Sequence, residues 1–143
     1  MKRAAILTAA AAGALLSAAS ALAHHSFAAE FDRNLPITVT GTVTKVEWMN
    51  PHARFYIDAK DDAGKIVNWD FELASPNGLM RRGWNRNSMK IGDTVTVTGH
   101  RAKNNPAVGN ASSVVLADGK KLFAGSSIEN EAPASGSAQP PSQ

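Results

Sequence analysis

From Ile37 to Trp48 the chain alternates apolar and polar residues, and the alternation changes phase at Lys45. Ile37, Val39 and Val43 carry the apolar side first; Val46 and Trp48 carry it in the opposite phase. A period of two marks a half-buried strand. One extra residue that shifts the phase is a β-bulge, which bends the strand and increases its twist. The pattern therefore predicts a long first strand that bends.

The rest of the chain supplies partners for it. Ala53 to Ala59 alternates with Phe55 and Ile57 facing inward, and Asp61-Asp62-Ala63-Gly64 is hairpin-turn chemistry. Val67, Trp69, Phe71 and Leu73 form the inner side of a third strand, with Asn68, Asp70 and Glu72 outside. Ser75-Pro76 starts a short helix, a capping Ser before Pro at the first helical position. Leu79 and Met80 are its buried side, Arg81 and Arg82 its wet side, and Gly83 its stop. Thr94 to Thr98 reads as a fourth strand, a loop runs to about Asn110, and Ser113 to Leu116 is a fifth. Asp118-Gly119 then turns the chain toward Leu122 and Phe123. A three-strand meander, a short helix and two more strands is the order of an all-β, OB-like five-stranded barrel, whose first strand must bend to serve both sides. An open sandwich of the same strands is the other arrangement.

Both ends lie outside this domain. Lys2 and Arg3, the apolar run Ala4 to Leu16 and Ala21-Leu22-Ala23 are the three parts of a signal peptide, residues 1–23, cut after Ala23. The run is short for a membrane span, which takes about 20 residues. Its removal predicts a periplasmic or secreted protein with no transmembrane segment. It also takes two positive charges from a formal +3, leaving a nearly neutral chain. Nucleic acid is excluded as a partner on that ground. Residues 124–143 are rich in Ala, Ser, Pro and Gly, with Ile128 as the one large aliphatic, the composition of a disordered tail. The folded domain is then 24–123. With no cysteine in the chain, disulfides, thiolate metal sites and cysteine catalysis are excluded.

The histidines carry the chemistry. Cleavage after Ala23 makes His24 the N-terminus, so its amine and imidazole can hold one metal ion. A second imidazole completes a three-nitrogen set suited to copper(II). His25 is adjacent, His52 lies on the loop after the first strand, and His100 ends the fourth strand. In OB barrels those two loops flank the usual binding face. Glu30, Asp32 and Glu47 are the available oxygen donors. A second cluster, Arg81, Arg82 and Trp84 with Arg86 and Lys90, places an aromatic beside positive charge. It fits an envelope protein, a glycan or another small anionic ligand; alternatively Trp84 plugs the barrel end. Ser26 and Ser75 have no histidine at a telling spacing, and Asp70 with Glu72 reads as the polar side of a strand. No catalytic constellation stands out, and the reading is a binding protein, not an enzyme.

Four segments form a recognisable set: His24-His25-Ser26-Phe27, Trp48-Met49-Asn50-Pro51-His52, Phe71-Glu72-Leu73 with Ser75-Pro76-Asn77, and Arg82-Gly83-Trp84. Together they resemble a family of small secreted bacterial proteins known as a domain of unknown function. The likeness runs from about His24 to Phe123. It implies a periplasmic location and carries over no catalytic residues.

Overall fold

The structure, a computed structural model, describes residues 26–125. The predicted signal peptide, His24, His25 and the tail beyond Gly125 lie outside the described residues. Within them the chain runs α1 (Ser26–Glu30), β1 (Phe31–Glu47), β2 (Arg54–Lys60), β3 (Ile66–Glu72), α2 (Pro76–Met80), β4 (Thr94–Ala102), β5 (Val108–Val115) and β6 (Lys121–Phe123). The six strands form one mainly antiparallel sheet in the order β3-β2-β1-β4-β5-β6. A parallel pairing of β3 with β5 adds Asp70 opposite Val108, Phe71 opposite Gly109 and Glu72 opposite Asn110.

β1 bends as its sequence requires. Its first part pairs with β4 as far as Thr42, opposite Thr94, and from Thr42 onward it pairs with β2. Val43 faces Ile57 and Lys45 faces Tyr56, so Thr44 is the extra residue of a bulge. The Thr44 hydroxyl donates to the Tyr56 carbonyl at 3.3 Å across it. The strand starts six residues before the alternation does: Phe31 pairs with Ala102 and is buried. Ahead of it, α1 was not signalled by any periodicity. Its Phe27 ring lies 5.5 Å from that of Phe31, and the Glu30 carbonyl accepts from the Lys103 amide at 2.9 Å.

The core is the inner face of this sheet. Val43, Phe55, Ile57, Phe71, Val95, Val97 and Val114 are fully buried, each worth about 1.5–3 kcal/mol relative to exposure. Phe71 stacks between Phe55 at 5.5 Å and Trp69 at 5.6 Å. The end of the core is closed by α2. Ser75 caps it, its hydroxyl accepting from the Gly78 amide at 3.3 Å, and Leu79 is buried beneath. Met80, expected beside Leu79, instead points to water. The helix is only five residues long and presents Pro76 and Leu79 to the core.

The second half departs most from expectation. β4 continues past Thr98 to Ala102, and β5 begins at Val108 inside the segment expected to be a loop. Gly109 and Asn110, poor strand formers, are recruited because β3 and β4 pair with β5 on either side. His100 therefore lies within a strand and does not end one. A sixth strand, β6, pairs with β5. Packing continues to Ala124, whose amide donates to the Ser112 carbonyl at 2.8 Å.

Candidate functional site

A polar row crosses four strands where β3 meets β5. Arg54 on β2 stands opposite Glu72 on β3, Glu72 opposite Asn110 on β5, and Asn110 opposite His100 on β4. Residues opposite one another project to the same face of a sheet.

The row is anchored by an ion pair. Arg54 Nε and Nη2 donate to the two oxygens of Asp70, each at 3.0 Å, and Nη1 donates to Glu72 Oε2 at 3.2 Å. The paired donors of a guanidinium match a carboxylate with both prongs. Burial alone would lower the Arg54 pKa, but hydrogen bonding to Asp70 and the charges of Asp70 and Glu72 outweigh it and raise it. Glu72 is the more enclosed acid, its side chain 13% exposed. Its other oxygen, Oε1, accepts from Asn110 Nδ2 at 3.4 Å.

His52 joins from the loop after β1. Its Nδ1 lies 3.0 Å from the Leu73 carbonyl and 3.8 Å from Glu72 Oε1. A carbonyl only accepts, so Nδ1 carries the proton, and in the neutral ring Nε2 keeps its lone pair for a ligand. This is how ligating histidines are commonly oriented.

His100 closes the row at the other side. Its Nδ1 is buried and, among the described residues, has no hydrogen-bond partner. The edge of the Phe27 ring meets the imidazole at 89°, with centroids 5.9 Å apart, and Arg33 lies over Phe27 at 5.3 Å. Asn110 beside it is 1% exposed, the one polar residue in the core set. Glycines make this approach possible: a Cβ at Gly109 would lie 2.8 Å from the Phe71 ring.

The predicted ligands are thus distributed unevenly. Glu72 and Asn110 stand between His52 and His100 in the row, and the structure does not stack the two imidazoles together. Among the described residues no three His, Asp or Glu side chains gather as a ligand set. His24 and His25 lie outside the described residues, but Phe27, which follows them, packs on His100. Of the oxygen donors, Asp32 accepts from the Asn34 amide at 2.8 Å, and Glu30 is exposed. Glu47 is engaged elsewhere, by Lys45 at 2.6 Å and the Tyr56 hydroxyl at 3.0 Å.

The Arg81, Arg82 and Trp84 cluster takes the structural alternative for its aromatic. Trp84 is buried, and its Nε1 donates to the Phe123 carbonyl at 2.8 Å, so the ring is not presented to a partner. Arg82 donates to the Gly125 carbonyl and covers the Phe123 ring at 4.8 Å. Arg81 is exposed.

The local sequence marks neither Arg54 nor Asn110 as a member of a site. The signal for Arg54 was an arginine on the outward side of β2 facing acids on the outward side of β3. Asn110 had no local signal, because its place depends on two strands distant in sequence. Among the described residues no helix is long and apolar enough to cross a membrane. A search of curated proteins finds no match to the chain. The model of one family matches residues 12–111, a span that holds every member of the row, and the chain belongs to that family, a family of unknown function (DUF6152).

Proposed function

We propose that this is a periplasmic OB-type barrel protein that binds copper(II) through the amine and imidazole of His24, with His100 as a second imidazole. The barrel reading is supported by the parallel pairing of β3 with β5, which brings the strand order from β1 through β2, β3, β5 and β4 back to β1. The periplasmic reading rests on the leader ending at Ala21-Leu22-Ala23.

One observation carries the metal reading: Phe27 packs edge-on against His100. His24 precedes Phe27 by three residues, a reach of at most about 11 Å. A chain starting at His24 would have that reach to an imidazole whose Nδ1, among the described residues, is buried and without a partner. A buried polar atom left so costs about 1–3 kcal/mol, which coordination would recover. Amine and imidazole nitrogens in a tetragonal set favour copper(II) over harder divalent ions.

The test uses untagged protein exported through its own leader. Intact mass reports whether His24 is the first residue, and titration against a competing chelator reports copper(II) affinity. One ion per chain is expected. Its affinity should fall at least tenfold in His24→Ala and in a variant with one Ala inserted before His24. Affinity no greater than that of a free peptide with the same first residues would overturn the reading.

A further inference from the structure

A cavity of about 510 Å³ opens between the end of β1 and α2 and is lined by Trp48, Met49, Asn50, Pro76, Asn77, Met80 and Arg86. Two of the sequence segments that set this chain apart, Trp48-Met49-Asn50-Pro51-His52 and Ser75-Pro76-Asn77, meet there, although more than twenty positions separate them. Met49 is 57% exposed and Met80 51%, whereas Met89 is packed in the core. Surface methionine is not needed for either element. Asn50-Pro51 supplies the turn, and Pro76 and Leu79 anchor α2 to the core.

The donor set is soft. Among the described residues no carboxylate lines the cavity, so calcium, magnesium and zinc would find only amide oxygens there. Thioethers prefer copper(I). Methionine side chains are unbranched and turn freely when exposed, so two on one cavity can converge on a single ion. The Trp48 indole adds a face that attracts a cation. Arg86 is the charged member of the lining and opposes the same cation.

We propose that Met49 and Met80 ligate a soft monovalent cation, copper(I), in this cavity, beside the Trp48 ring. The site uses none of the nitrogens assigned to copper(II) above and does not rest on that reading.

The experiment keeps the mature protein whole and untagged. Copper(I) is offered as its bicinchoninate complex without oxygen, and silver(I), a redox-inert stand-in, is followed by the methyl signals of ¹³C-labelled methionine. Silver(I) should shift the Met49 and Met80 methyls and leave Met89 in place. Met49→Leu and Met80→Leu, which conserve volume at exposed positions, should each weaken copper(I) binding at least tenfold. Arg86→Ala should strengthen it by relieving repulsion. A double Met49→Leu, Met80→Leu protein that withdraws copper(I) from bicinchoninate as well as the parent would overturn the proposal. So would silver(I) binding that moves neither methyl.

Discussion

Gly99 and Asn110 meet backbone to backbone: a Cβ at Gly99 would stand 2.0 Å from the Asn110 carbonyl oxygen. Gly99 faces Ala111, and the β4–β5 register shifts between Thr98 and Gly99, so the strands draw close just before His100. Gly99→Ala must push β5 away at the row itself. A loss of at least about 1–3 kcal/mol is expected, as for overpacking in a core. Gly109→Ala meets side chains, Phe71 at 2.8 Å and Ile37 at 2.9 Å, which can turn aside where a carbonyl cannot. Urea denaturation of both variants should rank Gly99→Ala as the more damaging.

Arg54 holds two acids on the outer face of β3. Arg54→Ala leaves Asp70 and the more enclosed Glu72 side by side without their cation. A loss of about 1–3 kcal/mol is expected, the range for hydrogen bonds to charged groups. Arg54→Lys restores the charge but not the two-pronged geometry, and should recover only part of it. Equal stability of the alanine variant and the parent in denaturant titration would show the pair to be immaterial.

Lys45 and Glu47 make a testable pH pair. The hydrogen bond from Lys45, followed by that from the Tyr56 hydroxyl, holds the Glu47 carboxyl below its ordinary pKa. A lowered folded-state pKa gives stability that is present above the unfolded value and is lost as pH falls through the folded one. Burial, then the hydrogen bond to Glu47, raises the Tyr56 phenol. Its contribution is present below the unfolded value and lost as pH rises through the folded one. In Lys45→Ala, NMR titration should show the Glu47 carboxyl moving upward toward the ordinary range. An unmoved titration would assign the lowering to another group.

Trp84 closes the core with a partly buried hydrogen bond to the Phe123 carbonyl. Trp84→Phe keeps an aromatic ring but strands that carbonyl and shrinks the side chain. About 1–3 kcal/mol of stability should be lost. A variant as stable as the parent would return the ring to the list of candidate binding residues.

Much of this architecture is written locally in the chain. The bulge at Thr44 shows as a phase slip because a strand with one buried face cannot hide an extra residue. The start of α2 shows in Ser75-Pro76 because capping is local chemistry. The join of β3 to β5 is not local, and Gly109-Asn110 carries the composition of a loop. Only the neighbours on either side make it a strand. Pairing with β5 is also what turns His100 from the end of a strand into a member of the row. Glu72 was visible as an outward acid, but alternation could not tell that β5 would cover its other side. Trp84 was legible as a large ring near positive charge, which suits a surface or a plug equally. The carbonyl of Phe123, thirty-nine positions on, decides it.

The N-terminus at His24 and His100 are proposed to share one ion. Electron paramagnetic resonance of the untagged protein with one equivalent of copper(II) reads the coupled nitrogens directly. A tetragonal signal with three nitrogens is expected, reduced to two in His100→Ala. An unchanged nitrogen pattern in His100→Ala would contradict it and leave His24 binding copper without the row.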